Sequence, residues 1–254
     1  VNDLALNHLY NMDCMDGMAQ FPDNFFELAV VDPPYGISSV SNEPWAQTKT
    51  NPRGRKAKHT FCGAGKLKNR NLNESGKRVE AWDIAPKQGY FDELFRVSRN
   101  QIIWGGNYFP LPPTRCLIIW DKQQAFENFS GFELAWTSFD HPAQMYRERV
   151  TSSVSAVERV HPTQKSLRLY RWIYNHYAKS GDKILDTHAG SASSLIAAHQ
   201  MGFEYIGFEI DKDYHRLATE RLDKAKQQKP LFTTGIETDS GISNRQSALE
   251  EVLP

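Results

Sequence analysis

Between residues 183 and 210 two short apolar runs, KILD and YIGFEI, flank one helical stretch near 194–201 that Gly202 closes. A strand, a turn, a helix and a second strand in this order form a β-turn-α-β unit, which pairs its strands in parallel. The same alternation recurs upstream. FFELAVV (25–31) is a short run of β-formers that stops at Asp32-Pro33-Pro34-Tyr35-Gly36. A helix is predicted through FDELFRVS (91–98), then strands at 101–104, 116–120 and 132–139. Residues 167–178 place Leu167, Tyr170, Tyr174 and Tyr177 on one helical face, and Gly181 stops that helix. Asp211 can cap a last helix whose apolar face is Tyr214, Leu217, Ala218, Leu222 and Ala225. The pattern is weak between 140 and 160. Strands alternating with helices predict an α/β chain with a doubly wound, mainly parallel sheet covered on both faces.

A length of 254 residues suits one such domain, expected over 1–230, with a polar tail at 231–254. No apolar run approaches the ~18 residues of a membrane span, and no signal-peptide pattern opens the chain. Cys14, Cys62 and Cys116 are far apart and form no CxxC pair, which fits a reduced, cytoplasmic setting. His8, His59, His141, His176, His199 and His215 show no ligand spacing, so no metal is expected. The net charge of zero hides an asymmetry. Residues 49–78 hold ten Lys and Arg against one acid, Glu74, a local charge of +9 that leaves about −9 for the rest. They lie in an aperiodic stretch, 41–80, that reads as a long surface loop. A polyanion is the partner such a loop suits, and a solvated insertion is the plainer alternative.

Two strings carry chemistry. Asp186 ends one strand, Gly190 lies in the turn after it, and Glu209 ends the next strand, 23 positions on. An acid about 20 residues beyond a strand-glycine turn suits the two hydroxyls of a ribose. The turn reads G-S-A-S-S and is poor in glycine. It fits a ribose ligand without pyrophosphate, such as S-adenosylmethionine, better than a dinucleotide; acids placed at strand ends for solubility are the competing explanation. The second string is Asp32-Pro33-Pro34-Tyr35. Two prolines remove two N–H donors and stiffen the loop, which then offers only acceptors, the Asp32 carboxylate and backbone carbonyls. An aromatic amino group wants such a partner, because accepting its hydrogens releases the delocalised lone pair for attack. Tyr35 offers a face on which a base can stack. A rigid turn with Tyr35 as packing is the alternative.

Taken in order, these strings resemble the amino-DNA methyltransferases of the β class, in which the catalytic motif precedes the cofactor motif. The resemblance covers about residues 7–228. LYNMDCMDGMAQFPDNFFELAVVDPPYG is similar to that family's opening block, His161-Pro162-Thr163-Gln164-Lys165 to its HPTxK element, and Asp186–Ser193 to its DPFxGSGT turn. The resemblance implies a Rossmann-like class I methyltransferase fold with a long basic loop inserted. It implies S-adenosylmethionine as cofactor, bound by Asp13, Asp32, His161, Thr163, Lys165, Asp186, His188, Ala189, Gly190, Ser191, Ser193, Glu209 and Ile210. Asp32, Pro33, Pro34 and Tyr35 become the catalytic tetrad. The target base must leave the helix, and aspartate in the tetrad goes mostly with adenine N6, where N4-cytosine enzymes tend to have serine. No covalent intermediate is implied, so the cysteines are not expected to act as nucleophiles.

The chain departs from the family pattern at His188 (an aromatic), Ala192 (glycine), Ser193 (threonine) and Ser166 (proline). The methyl of Ala192 is expected to narrow backbone approach to the cofactor, and a pseudoenzyme that binds DNA without it is one alternative. RNA or protein amine methylation is another, although those relatives usually carry Asn in place of Asp32. Double-stranded DNA is the expected partner, through Lys49, Arg53, Arg55, Lys56, Lys58, Lys66, Lys68 and Arg70, in a prokaryotic or phage cytoplasm and without a membrane. Residues 121–160 stand where a target-recognition region is usual but are few, so the basic loop or a second subunit of a homodimer is expected to share recognition. Trp104 and Asn107 are candidates for the base pocket, with core packing the competing role for Trp104. The motifs name neither a recognition sequence nor a cognate restriction enzyme.

Overall fold

A computed structural model describes residues 4–36, 83–123, 130–149, 160–161 and 163–228. Its strands are β1 (His8–Tyr10), β2 (Phe26–Val31), β3 (Ser98–Trp104), β4 (Leu117–Asp121), β5 (Phe132–Thr137), β6 (Gln144–Arg147), β7 (Lys183–Asp186) and β8 (Glu204–Phe208). Its helices are α1 (Cys14–Met18), α2 (Gln88–Val97), α3 (Leu167–Tyr177), α4 (Ser193–Gln200) and α5 (Lys212–Gln227). The strands form one sheet in the order β1-β8-β7-β2-β3-β5-β4-β6. Every neighbouring pair is parallel except β3–β5 and β5–β4, so among the described strands β5 alone runs the other way.

The apolar run of β2 follows from its central place. Leu28 and Val30 enter a core shared with α3, α4 and α5, while Ala29 and Val31 enter a second core shared with α1 and α2. Past Glu27, which pairs with Lys183 near the start of the strand, both faces of β2 are buried and leave no position for a polar residue, hence no alternation. Helix starts are set by side-chain oxygens. Ser166 accepts the Leu169 N–H at 3.0 Å at the start of α3, and at the start of α5 Asp211, the cap the sequence predicts, accepts those of Asp213 and Tyr214.

The structure differs from expectation where polar residues carry regular structure. Helix α2 ends at Val97 and β3 begins at Ser98, three residues before the predicted strand. Arg99 and Asn100 belong to β3 because it pairs with β2 from Phe26↔Ser98 onward. Strand β6 lies in the stretch of weak signal: it is a sheet edge, with Met145 and Arg147 exposed, and so needs no apolar run. The described part of 121–160 contributes β5 and β6 to the central sheet. Residues 41–80 and 231–254 lie outside the described residues, and with them all eight basic residues expected to touch DNA. Among the described residues no helix is long and apolar enough to cross a membrane.

Arg96 ties α2 to the segment between β1 and β2. Its guanidinium donates to the carbonyls of Phe21 (2.9 Å) and Met18 (3.2 Å) and to Asp23 (2.8 Å) and Glu93 (2.6 Å). Replacing it by alanine frees two carbonyls and two carboxylates at once. Arg96→Ala is expected to lower stability by about 2 kcal/mol, seen as a Tm lower by about 4–8 °C in thermal denaturation.

Candidate active site

From β7 the chain crosses to β8 on one side, and from β2 to β3 on the other. Crossovers that diverge in this way leave a crevice beyond the carboxyl ends of the two strands between them, the place where open α/β sheets bind ligands. Four acids follow four neighbouring parallel strands along this edge: Asp13 after β1, Glu209 after β8, Asp186 at the end of β7 and Asp32 after β2.

Asp32 is half-buried and held by side chains from both directions. The Tyr35 hydroxyl donates to its Oδ1 at 2.8 Å, and the Lys165 ammonium donates to its Oδ2. Lys165 also reaches Glu133 of β5 at 3.3 Å, and Glu133 pairs in turn with Lys122 just past β4. Burial by itself lowers the pKa of Lys165, but Asp32 and Glu133 outweigh it and hold the group above its usual value. Burial likewise pushes Glu133 up, and Lys165 and Lys122 bring it below the ordinary range. Tyr35 is stacked on Tyr108 at 5.0 Å and meets Phe109 edge-on at 6.2 Å. The 3-10 turn Gly106–Tyr108 supplies that lid, and it begins at Gly105, whose φ of +69° a Cβ would strain. A Cβ there would also strike the Tyr35 ring. Gly105→Ala is therefore expected to displace Tyr35 from Asp32, destabilising the fold by about 1–3 kcal/mol and reducing activity; a thermal melt and a rate assay read the two effects.

The turn after β7 is closed by its own backbone. Gly190 donates its N–H to Glu209 at 2.8 Å, and the second oxygen of Glu209 accepts the Asp211 N–H at 2.9 Å. Burial raises Glu209 against these two bonds. Ile210 beside it is 67 % exposed, and Asn11 holds both backbone carbonyls, at 2.8 Å and 3.1 Å. Asp186 is buried, with one oxygen accepting the Ser194 hydroxyl and the other the His188 N–H at 3.1 Å. Burial carries its pKa up to about 7. His188 packs edge-on against Tyr90 at 5.4 Å, and Thr187 bonds both residues. Ala192 opens α4 with a φ of +56° and no side-chain cap, a backbone in which glycine is at ease.

The remaining expected residues divide. His161 packs on Tyr214 at 4.4 Å and beside the Gly190 turn, with Thr163 bonded to its ring nitrogen at 3.1 Å. Lys165 stands on Asp32. Asp13 is exposed and spends one oxygen capping α1 through the Met15 N–H at 2.8 Å. Ser191 and Ser193 are buried, bonded to each other at 3.0 Å and to Arg221 of α5, so they fasten the turn from behind. Ala189 is buried. Trp104 is fully buried against Trp120, and Asn107 is exposed. Sequence reasoning missed Lys122, Glu133, Tyr90 and Tyr108. Its one available signal was Glu133, a charge inside an otherwise apolar strand. No described group of three or more His, Cys, Asp or Glu is placed to hold a metal ion.

A family model described as DNA methylase, of the N6/N4 type, matches residues 55–220. The chain belongs to this N6/N4 DNA methylase family. The family uses S-adenosylmethionine and acts on DNA. YubD of Escherichia coli (strain K12), named for methylase activity, is 25% identical over 242 residues, 85% of this chain and 91% of its own. YhdJ of the same organism, a DNA adenine methyltransferase, is 33% identical over 95 residues, 37% of this chain and 32% of its own. Among solved structures, the cytosine-N4-specific PvuII DNA methyltransferase shares the fold with a TM-score of 0.52 at 11% identity, over 86% of this chain and 89% of its own.

His188 is expected to make the stability of the fold depend on pH. Burial lowers its pKa from 6.5 to about 4. Between those values the unfolded chain binds a proton that the folded one does not, so stability falls as pH drops through 6.5 towards 4. His188→Phe removes that proton. Measured from pH 7.5 to pH 5, its loss of stability is expected to be smaller than the wild type's, on the order of 1–2 kcal/mol.

Proposed function

We propose that this protein transfers a methyl group from S-adenosylmethionine to the N6 amino group of an adenine flipped out of double-stranded DNA. The observation that carries the reading is Asp32, fixed by Lys165 and Tyr35 behind two prolines at the carboxyl end of β2, beside the crevice that β7 shares. The donor set fits the cofactor. Glu209 presents a half-buried carboxylate for a diol, and Ile210 next to it leaves a large apolar side chain exposed for the face of a base. Asp13, Asp186, His161, His188 and the turn through Gly190 surround that place in this reading. When bound, S-adenosylmethionine supplies a methyl group on a positively charged sulfur.

The chain's own residues handle the acceptor. Each oxygen of Asp32 uses one lone pair on a fixed donor, and a carboxylate has about four such sites, so acceptor capacity is left for an amino hydrogen. A carbonyl of the proline loop can take the other. Both bonds draw the nitrogen towards tetrahedral geometry and free its lone pair. Tyr108, half-exposed over Tyr35, offers a stacking surface worth about 1–3 kcal/mol to a base. The choice of adenine is supported by the aspartate of the tetrad and by the likeness to YhdJ. Residues 1–230 form the catalytic domain in this reading, and the basic residues from Lys49 to Arg70 contact phosphates.

Incubation with S-adenosylmethionine and unmethylated genomic DNA, followed by mass spectrometry of the nucleosides, tests the proposal. N6-methyladenine is expected, with Asp32→Ala lower by on the order of 100-fold or more. N4-methylcytosine would reassign the base and keep the chemistry. A protein that binds DNA and makes neither product would overturn the proposal.

A further inference from the structure

Four charged side chains from four separate elements alternate in sign across the top of the sheet: Lys122 past β4, Glu133 in β5, Lys165 before α3 and Asp32 past β2. The sheet register places them. Glu133 is paired with Trp120 across β5 and β4, and two positions along β5 Ala135 is paired with Trp104 of β3. The ammonium of Lys122 lies over the Trp120 ring at 5.3 Å and that of Lys165 over the Trp104 ring at 5.0 Å, with the two indoles edge-to-face. Both cations thus rest on aromatic faces with Glu133 between them, and each gains from the ring as well as from the carboxylate. An ammonium has three donors in flexible directions. Held on one side by Glu133 and underneath by Trp104, it has one direction left, and that direction is Asp32.

We infer that Lys165 is a positioning residue that fixes the carboxylate of Asp32, and that Glu133 is the residue that holds Lys165 in place. The inference rests on the amine-methylation reading above and gives the lysine of the HPTQK string a place on the acceptor side of the reaction. Without Glu133 the ammonium can swing, and with it the plane of the carboxylate that must meet the amino hydrogens. Misplacement of a reacting group by about 1 Å costs about 100-fold in rate. Asp32 and Glu133 face the ammonium directly. His161 lies earlier on the same loop, and Tyr35, Tyr170, Asp186 and Lys122 stand one contact further out. Loss of one of the two anions moves the lysine's titration down, since burial then has less to oppose it.

The test compares wild type, Glu133→Gln, Lys165→Met and Lys165→Arg in the full chain. Calorimetry gives the affinity for S-adenosylmethionine, fluorescence anisotropy that for duplex DNA, and rates are taken across pH. For Glu133→Gln, both affinities are expected to stay within about 2-fold while kcat falls about 10- to 100-fold, with its alkaline limb moved to lower pH. Lys165→Met is expected to lose kcat further at unchanged affinities. Lys165→Arg, which keeps a cation that does not titrate, recovers part of that loss and shows no alkaline limb; it decides the matter if Glu133→Gln does not fold. Weakened cofactor or DNA binding that accounts for the lost activity would overturn the inference, by making Lys165 a ligand contact. So would a Glu133→Gln protein that keeps the wild-type kcat. A wild-type protein that transfers no methyl group removes the underlying reading and the inference together.

Discussion

Parallel pairing of β1, β8, β7 and β2 puts four strand ends on one edge of the sheet, and each is followed by a carboxylate. Side by side, such groups repel one another and lose water, so each needs donors of its own. Three take them locally: Asp13 from the first turn of α1, Glu209 from the amides of Gly190 and Asp211, Asp186 from Ser194 and the His188 amide. Asp32 cannot, because Pro33 and Pro34 supply no N–H. Its donors come from side chains, Tyr35 nearby and Lys165 far away in the chain. The proline pair that makes the loop an acceptor surface thus also makes the carboxylate depend on a distant cation, and the β5 residue Glu133 follows as that cation's support.

The elements legible in the sequence were those whose period reports burial. β7, α4, β8 and the Asp211-capped α5 follow one another with apolar residues facing a core, and β2 reads as a strand because both its faces are covered. β1 and α1 are too short to show a period. β6 is an edge with one face in water, and the first residues of β3 are polar because pairing with β2 holds them. The acids at the strand ends could be read for the same reason as the strands, since a strand's end is where its run stops.

Pairing across the chain left no such trace. Lys165 and Asp32 are 133 positions apart, and nothing in the HPTQK string says that its lysine turns to the acceptor loop. Ser191 lies in the turn and Ser193 at the start of α4, yet their hydroxyls bond each other, and Arg221 reaches the Ser191 carbonyl and the Ser193 hydroxyl. Motif position fixes where a residue lies along the chain; which neighbour its side chain meets is decided by elements that the motif does not contain.

One physical cause shifts four titrating groups of the crevice in the same sense. Burial pushes Asp186 and Glu209 up and His161 and His188 down, so in each case it favours the uncharged form. Lys165 and Glu133 are the exceptions. Lys165 is buried and Glu133 half-buried, and each is nevertheless held charged, because the other stands beside it with a further opposite charge beyond. The desolvation that raises Glu209 also strengthens the attraction along the chain of four charges. Those alternating charges run along the β2–β4 side of the crevice, while the turn that follows β7 is held by hydrogen bonds of its own.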